Sequence, residues 1–418
     1  MQEITAVILA GGIGKRFAPL TINKTLLPMF GKPLLQHCFE FLQSVGFKKI
    51  IIASNQANLD WISQYSHPDL QIQTHLQEEP LGMGDALLTL KDVIKDQQIL
   101  VMNALDLVDR SLFENLAKVI PSSEAVVTGI KMDKYFPGGY LQVEGDRVIS
   151  VVEKPGEGNE PSKLVNLVFH YFRNPESFLS ILENTHSDQD DQYEKALTTF
   201  MQQQIVKYSE YEGYWQTIKH SHMVLNYMDA LLSHRLEQYI SPSAKVSPLA
   251  VIEGKVFIDD DAVVQEQAVI KGPAYIGKRA VVGTHSLVRS SCIEEGTGTG
   301  FGSEVARSYI GPGCMLHHNF IGDSILESKV NPSYGTCTAN WRFDNKAVEV
   351  KLPDGKQPTN REKFGAIIGD QAFLGINCSI MPGVTIGQKA FIYPGTIVHS
   401  PVPAHSTVKM IQQQEERK

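Results

Sequence analysis

Residues 240–288 read ISPSAKVSPLAVIEGKVFIDDDAVVQEQAVIKGPAYIGKRAVVGTHSLV, and every sixth position is aliphatic: Ile240, Val246, Ile252, Ile258, Val264, Ile270, Ile276, Val282 and Val288. A small residue stands two places before most of them, at Ala244, Ala250, Ala262, Ala268, Ala274 and Ala280. A helix repeats about every 3.6 residues and a strand every two, so neither accounts for a period of six. One inward aliphatic per flat face of a triangular coil, with a tight turn at each corner, does account for it. The interval is lost near Gly296–Gly302 and returns at Ile368, Leu374, Ile380, Ile386, Ile392 and Val398. The expectation is a left-handed parallel β-helix of hexapeptide repeats. The polar stretch 338–364 leaves the period and should protrude as a loop.

Upstream the grammar differs. Short apolar runs at Ala6–Ala10, Ile50–Ser54, Ile99–Ala104, Ala125–Ile130, Val148–Glu153 and Leu164–Phe172 alternate with amphipathic segments. Leu34, Leu35, Cys38, Phe39, Leu42 and Val45 repeat at helical spacing, with Pro33 in the first turn and Gly46 to close it. Strand, helix, strand in this order predicts an α/β, Rossmann-like domain. A helix over 226–237 leads to a boundary near Tyr239, giving domains 1–238 and 239–418.

Bulk properties narrow the classes. The 418 residues exceed what one core usually serves, and the net charge of −8 with no Lys/Arg run argues against a general nucleic-acid grip. Five scattered cysteines with no C-x-x-C pair argue against a disulfide framework or zinc cluster and for a reducing compartment. No charged leader precedes a long apolar stretch, and no stretch is long enough to span a bilayer, so the expectation is a cytoplasmic protein without a membrane partner.

The first apolar run opens into LAGGIGKRFAPLTINKTLLPMFGKPLL, residues 9–35. Gly11, Gly12 and Gly14 let backbone N–H groups turn towards a phosphate, and Arg16, Lys24 and Lys32 bring charge nearby. No G-K-[ST] closes the segment, so it is not a Walker A loop. On these residues alone, a glycine turn with solvated lysines remains an alternative.

The segment resembles the opening signature of the sugar-1-phosphate nucleotidyltransferases, L-A-G-G-x-G-T-R…P-L-T…K…P…G-K-P. Further segments match that family in order: HLQEEPLGMGDAL at 75–87, NALDLVD at 103–109, FPGGYLQVEGDRVISVVEKP at 136–155 and LVNLVFHYF at 164–172. The resemblance implies that Arg16 and Lys24 neutralise the triphosphate and departing pyrophosphate. It implies base contacts from Gln77 and Gly82, a glutamine amide suiting the uracil edge of UTP as acceptor to its N–H and donor to its carbonyl. Asp106 would hold Mg²⁺. Gly139, Glu153 and Asn166 would bind sugar hydroxyls or the N-acetyl group, with Lys154 near the sugar phosphate. Three positions depart from the pattern: Lys15 for threonine, Thr25 for proline, and Thr217 where many relatives carry a second metal-binding aspartate. Lys219 is a candidate to replace part of that charge.

HHNFIGDSILESKVNPSYGTCTANWRFDNKAVEV, residues 317–350, resembles the acetyltransferase half of bifunctional N-acetylglucosamine-1-phosphate uridylyltransferases, particularly the archaeal type. The resemblance implies His317 as the base, with His318 the fallback. It assigns Asn331, Asn340 and Lys346 to the sugar site. Arg289, Arg307 and Glu304 fall where charged sugar-phosphate contacts and a histidine-orienting acid belong. Phe320 stands where the family has tyrosine. Neutral histidine suits an amine attacking the thioester of acetyl-CoA, which would lie along the coils of 375–395. The implied reactions are acetyl transfer to glucosamine 1-phosphate and uridylyl transfer to the product, in a homotrimer. Two other readings stand beside this one. One is a monofunctional nucleotidyltransferase with a structural β-helix; the other is a nucleotide-sugar-binding pseudoenzyme, motivated by Thr217.

Overall fold

The computed structural model describes residues 1–188, 191–352 and 355–411. The backbone divides into two compact units, Met1–Ile13 with Leu35–Trp215, and Gly14–Leu34 with Gln216–Lys418.

The first unit is built on nine strands: β1 (Thr5–Leu9), β2 (Lys49–Ser54), β3 (Gln71–Leu76), β4 (Ile99–Asn103), β5 (Ala125–Lys131), β6 (Gly139–Glu144), β7 (Arg147–Glu153), β8 (Leu164–Phe172) and β9 (Val206–Tyr211). Their order in the sheet is β3-β2-β1-β4-β8-β5-β9-β7-β6. Strands β3, β2, β1 and β4 run parallel, and β8 enters antiparallel to β4 and β5. Parallel strands covered on both faces should be continuously apolar, and β1 is buried along its whole length. The helix Leu34–Ser44 ends where Gly46 takes a φ of 100°. All six apolar runs form strands. Three strands, β3, β6 and β9, lie outside those runs. QIQTHL and VKYSEY are rich in polar residues and offer no apolar run, and no residue of β3 is fully buried.

In the second unit the sixfold register becomes parallel ladders. Val251 pairs with Val269 and Val269 with Leu287, so a coil takes eighteen residues. The interruption at Gly296–Gly302 is not a break in the β-helix. Leu287 pairs with Glu304 and Glu304 with Phe320, so these coils shorten to seventeen and sixteen residues. Inward positions continue through Ile293, Thr299, Val305, Ile310, Leu316, Ile321 and Leu326, all buried, at intervals of five or six. Shortened corners leave backbone carbonyls that need donors, and buried hydroxyls supply them: Ser286 to Gly300 O (2.7 Å), Thr297 to Gly311 O (2.8 Å) and Ser324 to Gly322 O (2.8 Å). A fixed period of six cannot register turns of variable length.

The stretch 338–364 is not merely a polar loop. Glu349–Leu352 and Gly355–Pro358 form a hairpin, with Val348, Val350 and Leu352 buried; residues 353–354 lie outside the description. Arg361 binds Asn226 Oδ1 and Asp229 Oδ2, both at 2.8 Å, on the helix Val224–His234. All five cysteines are free thiols, and burial pushes Cys38 up to about 12. Among the described residues no helix is long and apolar enough to cross a membrane.

Candidate active sites

In the first unit the glycine turn after β1 is pinned by its carbonyls. Asn55 Nδ2 donates to Ala10 O (3.2 Å) and Gly12 O (2.9 Å), and Asn58 Nδ2 to Ala10 O (3.0 Å). Both asparagines are buried, and Asn55 caps the helix Gln56–Gln64. A Cβ on Gly11 would stand 1.8 Å from Gln77 Oε1, whereas one on Gly12 would meet nothing within 4 Å. Gly11 is therefore required by the close approach of Gln77.

Gln77 is buried, and its Nε2 donates to Gly82 O (3.2 Å) and Asp85 Oδ2 (2.7 Å). Both amide hydrogens are engaged, so this side chain offers Oε1 as an acceptor and not the donor expected for a base carbonyl. Gly82, at φ 102°, caps the helix Met83–Thr89.

Asp106 lies just beyond β4. Its Oδ2 accepts from Asn103 Nδ2 (3.1 Å) and its Oδ1 from Trp215 Nε1 (3.2 Å). Among the described residues no three His, Cys, Asp or Glu side chains gather as a metal cage. Mg²⁺ sites lean on one or two carboxylates plus substrate phosphates, and Asp106 supplies one carboxylate here.

The expected sugar residues come together at β6, β7 and β8. Gly139 pairs with Glu153 across the ladder, and a Cβ on Gly139 would lie 3.1 Å from Glu153 Oε2 and 3.5 Å from Asn166 Cβ. Lys154 Nζ meets Glu153 Oε1 at 3.0 Å. Behind Asn166 sits a group the sequence did not single out. His170 is fully buried, with Nε2 2.9 Å from Asn166 Oδ1 and Nδ1 2.8 Å from the Tyr193 hydroxyl. Burial pushes this imidazole down to about 3, so it is neutral near pH 7. Facing Oδ1 of Asn166, the neutral ring is the donor through Nε2 and accepts from the Tyr193 hydroxyl at Nδ1.

The cations of the signature lie in the second unit. Gly14 takes a φ of 69° at the start of the turn Lys15–Phe17, which exposes Arg16. Lys24 Nζ donates to Ile218 O (3.0 Å), which places it beside the segment carrying Thr217.

The second expected site is drawn on the coils. Arg289 binds Glu304 Oε1 through Nε (3.1 Å) and Nη2 (2.6 Å), so Glu304 is committed to an arginine and not to a histidine. Arg307 grips Asp323 with both arms, at 2.7 and 2.6 Å, and Asn340 Nδ2 reaches the same carboxylate at 2.6 Å. Asp323 is 1% exposed, and these charge-assisted bonds offset its desolvation. Gly322 makes room for the cluster, since a Cβ there would lie 2.7 Å from Asn340 Nδ2 and 2.8 Å from the Phe320 ring. His317 is exposed, and its ring makes no hydrogen bond among the described residues. The His318 ring is stacked between Phe301 and Tyr334. Asn331 and Lys346 are not drawn into the Arg307 cluster. Asn331 belongs to the ladder with Phe373, and Lys346 lies exposed beyond Asp344.

Comparison with known proteins matches residues 5–220 to the nucleotidyl transferase family and residues 365–400 to the bacterial transferase hexapeptide family. The bifunctional protein GlmU of Methanococcus maripaludis strain C5 is 36% identical, covering 96% of both chains. The bifunctional sugar-1-phosphate nucleotidylyltransferase/acetyltransferase of Sulfurisphaera tokodaii is 30% identical over 95% of this chain and 98% of its own. A UDP-glucose pyrophosphorylase crystallised with UDP-glucose shares the fold at a TM-score of 0.50 and 20% identity, covering 56% of this chain and all of its own (100%).

Proposed function

Because the chain belongs to the bifunctional sugar-1-phosphate nucleotidylyltransferase/acetyltransferase (GlmU) family, we propose that it makes UDP-N-acetylglucosamine in two steps. Acetyl-CoA acetylates glucosamine 1-phosphate, and UTP then uridylylates N-acetylglucosamine 1-phosphate with release of pyrophosphate. The observation that carries the reading is the presence of both sets of groups in one chain. Gly139, Glu153 and Asn166 converge in the first unit, and Arg307, Asp323 and Asn340 on the coils.

In the uridylyl step a phosphate oxygen of the sugar attacks the α-phosphorus in line, and pyrophosphate leaves opposite. Such a transfer depends on positioning and charge neutralisation. Gln77 Oε1 accepts the uracil N–H, and the backbone at Gly82 supplies the remaining base contacts. Arg16 and Lys24 offset charge on the triphosphate. Asp106 would hold Mg²⁺ together with phosphates and water, and the ion would neutralise charge on the transferred group. Asn166, with its amide oriented by His170, donates to the N-acetyl carbonyl, while Glu153 accepts from a sugar hydroxyl and Lys154 meets the sugar phosphate.

In the acetyl step His317 takes the proton of the attacking amine. Its unengaged ring supports it over the stacked His318. Arg289 and Arg307 hold the sugar phosphate with Asn340 beside them, while Asn331 and Lys346, outside that cluster, are assigned to the amino-sugar by the resemblance alone. Phe320 contacts the sugar without the hydroxyl that a tyrosine would offer. A homotrimer and a cytoplasmic location complete the reading.

Thiol release and pyrophosphate release, followed in parallel, test the proposal. Wild-type protein should give both. His317→Ala should lose thiol release by about 10³-fold, within the range for a general base, while pyrophosphate release stays within about twofold. Undiminished thiol release in that variant would sink the assignment.

A further inference from the structure

The segment Gly14–Leu34 carries Arg16 and Lys24, and the coils hold it through two carboxylates that neither reaction uses. Glu327, 3% exposed, accepts at Oε1 from the Thr21 N–H (2.8 Å), the Thr21 hydroxyl (3.0 Å) and the Ile22 N–H (2.8 Å). Its Oε2 accepts from the Asp370 N–H (2.8 Å). Glu294, fully buried, accepts from the Phe30 N–H (2.8 Å), the Gly31 N–H (3.0 Å) and the Cys292 thiol (3.0 Å). The Tyr309 hydroxyl donates to Pro28 O (2.8 Å), and Ser221 Oγ to Ala18 O (2.9 Å). At Gly31, with φ of 73°, a Cβ would stand 2.7 Å from the Tyr275 hydroxyl.

The repeat itself marks both acids. From Ile276 onward the residue following the inward aliphatic on this face is Gly277, Gly311, Gly369 or Gly387, but Glu294 follows Ile293 and Glu327 follows Leu326; the two earlier coils carry Ser241 and the less buried Asp259 there. A buried carboxylate costs several kcal/mol to desolvate unless donors meet it. Burial pushes Glu294 up to about 7 even against its three donors. Two buried acids among coils that carry glycine on either side need an offsetting contact, and in both cases the contact is the backbone of the cation-bearing segment.

We propose that Glu294 and Glu327 are positioning residues for nucleotidyl transfer, so that the β-helix holds in place the segment that supplies Arg16 and Lys24 to the triphosphate. The inference rests on the reading of those two cations given above. It makes the first reaction dependent on the second domain.

Glu327→Gln and Glu294→Gln, made in the full chain, test it. A glutamine replaces one accepting oxygen with a donor, which must face a backbone N–H and break at least one bond. The expected loss in kcat for pyrophosphate release is about 10- to 100-fold, the scale of a small misplacement of charge. The KM for N-acetylglucosamine 1-phosphate and thiol release from acetyl-CoA should stay within about twofold. Hydrogen exchange at the Thr21, Ile22, Phe30 and Gly31 amides should quicken by about tenfold or more. Tyr309→Phe removes one neutral bond at nearly constant volume and should cost about threefold in the same kcat. Unchanged nucleotidyl transfer in both glutamine variants overturns the proposal. If thiol release falls in parallel, Tyr309→Phe decides, and an unchanged rate there overturns it. Wild-type protein without nucleotidyl transfer would instead remove the reading of Arg16 and Lys24. Unaltered exchange in the glutamine variants would still count against the docking itself.

Discussion

The two units make their sites by opposite means. In the sheet unit a site is cleared: Gly11 and Gly139 stand where a Cβ would collide with Gln77, or press on Glu153 and Val151. On the coils a site is loaded: Arg289, Glu304, Arg307, Asp323 and Asn340 bring charge and polarity that are satisfied pairwise. The cleared site should fail when an atom is added at Gly11 or Gly139. The loaded one should fail when the single carboxylate shared by Arg307 and Asn340 is neutralised.

The contrast breaks first, and with the largest effect, on acid. His170 is buried neutral at about 3, against roughly 6.5 in an unfolded chain. Between those values the unfolded chain holds a proton that the native state refuses. The stability is therefore fully present above pH ~6.5 and falls as the pH drops towards 3, by on the order of 4 kcal/mol. Denaturant melts of wild type from pH 7 to pH 4 should show this slope in the sheet unit. His170→Leu should flatten it, although the variant is less stable at pH 7, and an undiminished slope would mean that another group carries the acid response.

Gly11→Ala comes next. The added methyl displaces Gln77, and kcat/KM for UTP should fall by about 100-fold, with acetyl transfer within about twofold. A tenfold loss or less would show that the buried amide yields. Asp323→Asn is the counterpart on the coils. It removes the charge that pairs with Arg307, leaves one accepting oxygen of two and faces Arg307 or Asn340 with a second donor, so acetyl transfer should drop by about 20-fold while nucleotidyl transfer holds. The smallest effect is expected from Thr217→Asp. Adding a carboxylate beside the Lys24 segment should lower the Mg²⁺ concentration needed for half-maximal nucleotidyl transfer by about threefold. No change would place that residue away from the metal.

The same contrast decides how much could be read in advance. Glycine signatures are local, so Gly11, Gly82 and Gly139 could be singled out from short segments, as could the sixfold aliphatic register of the first coils. Groups that act through a fold partner left no local mark. His170 looks like one polar residue in an apolar strand, and Asn55 like an ordinary helix cap. Glu294 and Glu327 become visible only once the shortened coils are aligned, because a period of six slips where turns lose a residue. Glu304, expected to orient a histidine, faces Arg289 because strand register and not sequence distance sets its neighbour. The polar stretch after Thr338 suggested a loop, since a hairpin's alternation of Val348, Val350 and Leu352 is too short to register.

Product analysis by mass spectrometry tests the central claim most directly. Purified protein would be incubated with Mg²⁺, acetyl-CoA, glucosamine 1-phosphate and an equal mixture of nucleoside triphosphates. UDP-N-acetylglucosamine should be the one nucleotide sugar formed, with free coenzyme A and pyrophosphate. A nucleotide sugar carrying no acetyl group, or N-acetylglucosamine 1-phosphate left unconsumed beside intact UTP, would contradict it.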